Sequence, residues 1–201
     1  MAQCHTRQHG YSVTDTNDLQ CVRDVVDHKC PGLLLPAVVA TDAVTTQHHV
    51  SLDALVESTT MFDDNAQHHA ERVTDLFLSL IGQLITLGEV KCYINNITIT
   101  NLFLVGDKLQ VSDFGLSHGI ECFKDKLRNQ WLGILLSFVQ FLFLTKDCKG
   151  VLDHHARQWD QREAFRCYIY PLFINVILSP TEMLGSQIIG NFEAFRGSQD
   201  S

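Results

Sequence analysis

Apolar residues recur every three or four positions between residues 66 and 87, and this spacing predicts a long amphipathic helix. The apolar positions are Val73, Leu76, Phe77, Leu80, Ile81, Leu84, Ile85 and Leu87. Gly88 follows directly and predicts the end of the helix, because glycine is the usual residue just past a helix C-terminus. The same pattern occurs in helices of many folds, so it predicts an element and not a function.

A second apolar run extends from Trp131 to Leu144 and is apolar on nearly every side. A helix that spans a membrane needs about 18–20 such residues. This run has fewer, contains Gln140, and lies between Arg128 and Lys146. The pattern therefore favours a helix at the centre of a folded core over a membrane span.

Shorter signals before residue 66 predict small elements. Residues 33–35 and 38–40 are apolar runs on either side of Pro36, which predicts one or two short strands. Ser51 is a suitable N-cap for a short helix that continues through Glu57.

The C-terminal part of the chain predicts further helices. Residues 159–178 form a mixed helical segment in which Pro171 predicts a break or a kink. The sequence Ser179-Pro180 predicts the cap and first residue of a last helix, since proline is favoured at that position.

Composition limits the class of protein. The chain has 201 residues, of which 45% are apolar, and this suits one domain or one lobe of a larger fold. A net charge of −8 without any basic run argues against a nucleic-acid partner. The seven cysteines are odd in number and lack a C-x-x-C, and the N-terminus is polar. We therefore expect free thiols in an intracellular setting, either cytoplasm or nucleus.

Histidines and cysteines raise the alternative of a structural zinc site. Three His-His pairs occur, at His48-His49, His68-His69 and His154-His155. Zinc takes four ligands, usually as two closely spaced pairs, and the spacings of Cys4-His5 and His28-Cys30 do not fit a common finger. The sequence favours partly exposed histidines and buried thiols over metal ligands.

Residues 94–115 carry the most specific chemistry in the chain. They read I-N-N-I-T-I-T-N-L-F-L-V-G-D-K-L-Q-V-S-D-F-G, with Asn101 at the last position of the loop and Asp113 at the start of D-F-G. Gly106-Asp107 predicts a primed-type turn between two short strands. This order resembles the catalytic loop and metal-binding turn of a eukaryotic-type protein kinase, H-R-D-L-x-x-x-N followed by D-F-G.

The resemblance implies roles for three residues. Asn101 and Asp113 would hold the magnesium ions that bridge the phosphates of ATP. Asn96 stands where the kinase pattern has its catalytic Asp, and an amide cannot accept a proton at neutral pH. Ile94 and Asn95 replace the His and Arg of the H-R-D triplet. The segment N-I-T-I-T-N also resembles a variant of divergent herpesviral kinases.

Other parts of the kinase pattern are missing. The chain has no G-x-G-x-x-G, and no Glu precedes Glu57 to serve the regulatory helix. Lys29 could be offered as the phosphate-binding Lys, but a solvated Lys near a turn is the simpler interpretation. A-P-E is absent, whereas L-G-I-L-L is present at residues 132–136. The Asp that anchors the catalytic loop from this helix has no clear counterpart, and Arg128 falls near its position.

We expect an α+β fold that resembles a protein kinase, mainly the helical large lobe with a reduced small lobe. The expected parts are a polar segment at 1–20, a small-lobe remnant with a hinge-like region at 21–58, a large lobe at 59–196 and a tail at 197–201. The expected function is that of a pseudokinase that binds or regulates a kinase, a kinase substrate or a regulator, inside a host cell if the source is viral. The alternatives are a divergent Ser/Thr kinase that uses magnesium and ATP, and a truncated product without selected activity.

Overall fold

The computed structural model describes residues 10–12, 37–40, 43–45, 50–58, 66–89, 92–94, 97–111, 116–118, 123–146, 162–181 and 183–198. The strands in these ranges are β1 (Gly10–Ser12), β2 (Ala37–Ala40), β3 (Ala43–Thr45), β4 (Val50–Ser51), β5 (Cys92–Ile94), β6 (Leu102–Val105), β7 (Lys108–Val111) and β8 (Leu116–His118). The helices are α1 (Leu52–Ser58), α2 (Ala66–Glu89), α3 (Phe123–Leu142), α4 (Arg162–Ala164), α5 (Tyr170–Leu178) and α6 (Leu184–Gly197). A π-helical turn, Phe165–Ile169, joins α4 to α5. The fold is therefore α+β.

The strands pair antiparallel in three small sheets, with orders β1-β3-β2, β4-β6-β7 and β5-β8. The hairpin predicted between the loop and D-F-G is confirmed as β6 and β7, with Val105 opposite Lys108. Gly106 has a φ of +62°, while Asp107 does not share this positive φ, which is the pattern of a type II′ turn. Glycine is needed at this position because other residues rarely adopt that φ.

The core is built around α3. Its Phe138 ring lies 5.4 Å from Phe77 of α2 and 4.5 Å from Phe192 of α6, measured between ring centroids. The helix is buried along most of its length, from Leu127 to Leu142. This confirms a central core helix, and none of the helices in the described ranges is long and apolar enough to cross a membrane.

The long helix predicted from residue 66 is confirmed, but its end is not where Gly88 predicted it. α2 continues to Glu89, and Gly88 keeps a negative φ inside the last turn. Its missing side chain instead leaves space beside Tyr93, whose Cε1 would lie 3.8 Å from an added Cβ. A distance of 3.8 Å is ordinary van der Waals contact, so Gly88 lies inside the last turn without a steric requirement for glycine.

The predicted cap of α1 is confirmed, because Ser51 Oγ accepts a hydrogen bond of 3.3 Å from the backbone N–H of Ala54. Strand β2 confirms the predicted run at 38–40, whereas residues 33–35 lie outside the described ranges. These two short elements follow from local chemistry that the sequence displays directly.

The two C-terminal prolines have different positions in the structure. Pro171 lies in the first turn of α5, directly after the π-helical turn in which the N–H of Tyr170 bonds to Phe165 O, so the regular α-helix is interrupted just before the proline. Pro180 is not the first residue of the last helix. α6 begins at Leu184, whose backbone N–H donates to Thr181 O at 3.1 Å.

The C-terminal end of α3 is closed by a Schellman-type turn. Thr145 N donates to Gln140 O at 2.9 Å, and Leu144 N donates to Phe141 O at 3.3 Å. Leu144 has a φ of +50°, in the left-handed region where glycine is favoured. The packing of Leu144 against the core offsets the strain of this conformation.

His69 of α2 binds the last carbonyls of α3. Its Nε2 lies 3.3 Å from Phe141 O and 3.2 Å from Leu142 O, and since carbonyls only accept, Nε2 carries the proton. Burial lowers the pKa of His69 below its ordinary value of about 6.5, and Arg72 adds to this lowering, while the two carbonyls oppose it.

A depressed pKa in the folded state means that protonation of His69 favours unfolding. Its contribution to stability is fully present above pH 6.5 and is lost as the pH falls through the lower folded pKa. We expect the free energy of unfolding to decrease between pH 7.5 and 5.5, and to decrease less in His69→Gln, which keeps a donor but does not titrate. Urea denaturation at several pH values measures this difference.

The control is His68→Gln, since the neighbouring His68 is exposed on the same helix. This variant should keep the pH dependence of the wild type. If His69→Gln and wild type lose stability in parallel as the pH falls, the assignment of this pH dependence to His69 is wrong.

Candidate functional site

Asn101 is the one residue of the predicted magnesium and catalytic set that lies within the described ranges; Asn96 and Asp113 lie outside them. Asn101 closes a tight turn in front of β6. Its Oδ1 accepts a 2.8 Å hydrogen bond from the backbone N–H of Thr98, and its own N–H donates to Thr98 O at 3.1 Å. The side chain is buried and held in one orientation by this turn.

This arrangement leaves Asn101 a limited capacity for a metal. A side-chain amide offers one oxygen with two lone pairs, and Oδ1 of Asn101 accepts both the Thr98 N–H at 2.8 Å and the Thr98 hydroxyl at 3.4 Å. Oxygen donors of this kind suit magnesium. In this structure, however, the oxygen of Asn101 serves to hold the turn.

Two strand ladders bring the chain segments around this turn together. Leu102, next to Asn101, is paired with Val111, the last described residue before 112–115. Ile94, the last described residue before 95–96, is paired with Leu116. The two described ends that flank 112–115 are thus held beside the loop from residue 94 to Asn101.

Helix α3 fixes this loop through a buried hydrogen bond. The fully buried Gln130 of α3 accepts a 3.0 Å hydrogen bond at Oε1 from the backbone N–H of Ile94. The sequence showed no clear counterpart of the anchoring Asp, and Arg128, which falls near its position, pairs with Asp125 on the surface at 2.8 Å. The available signal was a lone glutamine beside Trp131 at the start of a strongly apolar run.

Gly133 sets how closely α3 approaches the loop. A Cβ built on Gly133 would lie 2.5 Å from the carbonyl oxygen of Ile97 and 3.1 Å from its Cβ. Such distances are far inside van der Waals contact, so only glycine lets the helix axis lie against the loop backbone here. The glycine of L-G-I-L-L therefore has a steric role one turn along from Gln130.

The first turn of α1 contacts the same loop from the opposite direction. Asp53 N donates to Ile99 O at 2.9 Å, while the Asp53 carboxylate pairs with Lys146 Nζ at 2.7 Å. Glu57 also pairs with Lys146. The hydrogen bond to Asp53, followed by that to Glu57, raises the pKa of Lys146 above its ordinary value. Asp53 thus connects the loop to Lys146, which lies shortly after the end of α3.

The histidines and cysteines are the candidates for a metal site outside the kinase pattern. His68 is exposed and His69 buried, on a helix rather than a strand, and Cys167 is a free, exposed thiol. Across the described ranges, no group of three or more His, Cys, Asp or Glu side chains is placed to hold a metal ion. The His48-His49 and His154-His155 pairs, and the N-terminal group, lie outside those ranges.

Comparison with known proteins gives no match: no protein-family model matches the chain, and no curated protein does so either.

The contact at Gly133 predicts a specific cost for one added methyl group. Gly133→Ala should lower the free energy of unfolding by about 2–3 kcal/mol, because the loop backbone must move away from α3. Chemical denaturation of the purified variant measures this loss.

Gly190 of α6 provides the matched control, since a Cβ at this helical position meets no atom within 4 Å. Gly190→Ala should raise stability by about 0.5–1 kcal/mol through helix propensity alone. A Gly133→Ala variant as stable as Gly190→Ala would contradict the close approach of helix and loop.

Proposed function

We propose that this protein is a pseudokinase, a kinase-like lobe that binds or regulates protein partners without transferring phosphate. One observation carries the proposal: a loop held from behind by α3 leads through the fixed turn at Asn101 into a hairpin, and the sequence places an amide, Asn96, where phosphoryl transfer needs a carboxylate. The Oε1 of Gln130 on the N–H of Ile94 supports the view that this loop is anchored from α3, as a kinase loop would be.

The pairing of the strands supports the same proposal. Asn96 lies one residue before Ile97, and Asp113 lies two residues after Val111. Each residue of chain spans at most about 3.6 Å. Leu102 is paired to Val111 and Ile94 to Leu116, so the described residues that flank 95–96 and 112–115 lie beside the loop that leads to Asn101.

The missing groups favour binding over catalysis. A general base contributes about 10²–10⁴-fold to a typical reaction, so its loss alone leaves some activity. The chain also lacks the Gly-rich loop and the Glu partner, and these parts position the phosphates on which transfer depends. Because these catalytic groups are missing, the surface of the lobe is the feature that we expect to have a function.

Helix α5 offers a surface that suits a protein partner. Tyr170, Ile174, Ile177 and Leu178 recur at helical spacing and are 43–75% exposed. Apolar side chains grouped in this way on a surface commonly mark a protein-binding site. The partner expected here is a kinase, a kinase substrate or a regulator of one.

A divergent Ser/Thr kinase remains the second candidate, because Asn101 and Asp113 keep the magnesium-binding residue types. It requires Mg-ATP to bind and phosphate to move. The two proposals therefore differ in whether a phosphorylated protein is formed.

We expect the folded protein to transfer no radiolabel from [γ-³²P]ATP to itself or to a general acceptor such as myelin basic protein. Asn96→Asp should also transfer none, because restoring the carboxylate does not restore the phosphate-positioning groups. Transfer by the wild type that is abolished in Asp113→Ala would overturn the pseudokinase proposal and establish the kinase. Thermal melting gives a second measure, since Mg-ATP at 100 times its Kd would add about 2.7 kcal/mol of stability.

The binding role predicts a surface-dependent loss. Immobilised wild-type protein should retain a kinase, a kinase substrate or a kinase regulator from cell extract, as identified by mass spectrometry. Ile177→Lys should lower this retention at least fivefold, whereas Asn175→Lys, at an exposed polar position of the same helix, should leave it unchanged. Retention of the same proteins by both variants alike would argue against α5 as the contact surface.

A further inference from the structure

A groove lies between the C-terminal end of α2, the first half of α3 and the start of α6. Its volume is about 240 Å³. The buried side chains of Leu84, Tyr93, Gln130 and Trp131 form its floor, and the exposed Glu89 and Met183 lie at its rim. The groove is therefore mainly aliphatic and aromatic inside, with the Gln130 amide and the Trp131 indole N–H as polar groups in its floor, and it carries its charge at the edge.

The charge at the rim is negative, and no described residue of the groove compensates it. Glu89 is the last residue of α2, where the free carbonyls of the helix already give a partial negative charge. The last turn of α2 has no basic residue, and Glu89 forms no ion pair with any residue in the described part of the chain. Among the described residues that line the groove, none is Lys or Arg. A cation placed here gains from both the carboxylate and the helix end.

The floor selects for an apolar body of limited size. Pockets for drug-sized ligands occupy about 300–1,000 Å³, so a groove of this volume suits one ring or a short branched chain. The aromatic side chains of Tyr93 and Trp131 provide an apolar surface for such a group. The missing side chain at Gly88, which also lines the groove, keeps this space open beside Tyr93.

We propose that this groove binds a small amphipathic cation, a primary amine carried on a compact aromatic or branched aliphatic body. The body lies on the floor formed by α2 and α3, and the ammonium group pairs with Glu89 at the C-terminal end of α2. A carboxylate of the same shape is repelled by Glu89. The site is separate from the anchored loop in its chemistry, and the inference does not depend on the proposed pseudokinase function.

The groove also shares one residue with the loop. Gln130, part of the floor, uses its Oε1 to hold the N–H of Ile94. A ligand that packs against Gln130 favours the position in which it holds the loop, so occupancy of the groove should also stabilise the loop anchor. Slower hydrogen exchange of the Ile94 amide is therefore a second measure of binding.

The experiment compares three probes of the same shape and different charge: phenethylamine, 2-phenylethanol and 3-phenylpropanoate. The chain has two tryptophans, so Trp159→Phe leaves Trp131 as the only fluorophore of its kind on the groove floor. We expect phenethylamine to change Trp131 fluorescence with a Kd of about 0.1–1 mM, as a nine-atom ligand of ordinary efficiency would. The alcohol should bind at least fivefold more weakly, and the carboxylate should give no saturation up to about ten times that concentration.

Variants assign the binding to the groove. Glu89→Gln should weaken phenethylamine to the affinity of the alcohol, whereas Glu193→Gln, an exposed carboxylate on α6, should not. Gly88→Leu should abolish the binding of all three probes by filling the groove. Gly82→Leu is its control on the same helix, because an added Cβ there meets no atom within 4 Å.

Equal binding of the amine and the carboxylate, or amine binding that is unchanged in Glu89→Gln, would overturn the proposal. So would the absence of a saturable response to phenethylamine at 20 mM. The three-probe comparison needs no substitution at the groove, so it decides the question even where Gly88→Leu does not fold.

Discussion

The close contact of α3 with the loop that follows β5 is the constraint on which the rest of the structure depends. Gly133 permits the helix to lie against Ile97, and Gln130 then reaches the N–H of Ile94. A buried N–H without a partner costs about 1–3 kcal/mol, so the hydrogen bond and the close approach support one another. Because the loop is pinned at both points, the turn at Asn101 and the hairpin after it take a defined position relative to the core.

The same helix organises the core at its other end. Phe138 contacts aromatic rings from α2 and α6, and the carbonyls of Phe141 and Leu142 are bound by His69. Lys146, just beyond the helix, ties this end to α1. α3 is thus buried along its length for two reasons. Its first half holds the loop that leads to Asn101, and its second half holds the remaining helices in place.

The chemistry around the loop supports the proposal of recognition over reaction. The side-chain oxygen of Asn101 holds its own turn, and Asn96 has no group that accepts a proton at neutral pH. Binding needs a surface of stable shape, whereas phosphoryl transfer needs several groups placed together. The groove beneath α2 is of a different kind, because its selectivity comes from a helix end and one carboxylate around an apolar floor.

Much of the local structure could be predicted because it depends on neighbours in the chain. The spacing of apolar residues predicted α2 and the burial of α3, Ser51 predicted the cap of α1, and Gly106-Asp107 predicted the hairpin turn. α2 ends at Glu89 and not before Gly88, and α6 begins at Leu184 and not at Pro180, so the local preferences of glycine and proline did not set these two helix ends. Asn96 and Asp113, outside the described ranges, stay predictions from sequence.

The sequence by itself determined which elements form and which residue types line the loop, since periodicity, caps and turn chemistry act over a few residues. Tertiary structure alone decided that Gln130 holds Ile94 and that Gly133 makes room for the loop. It also decided that Glu89 stands at the rim of an apolar groove. These are contacts between segments far apart in the chain, and their distances depend on how the helices pack.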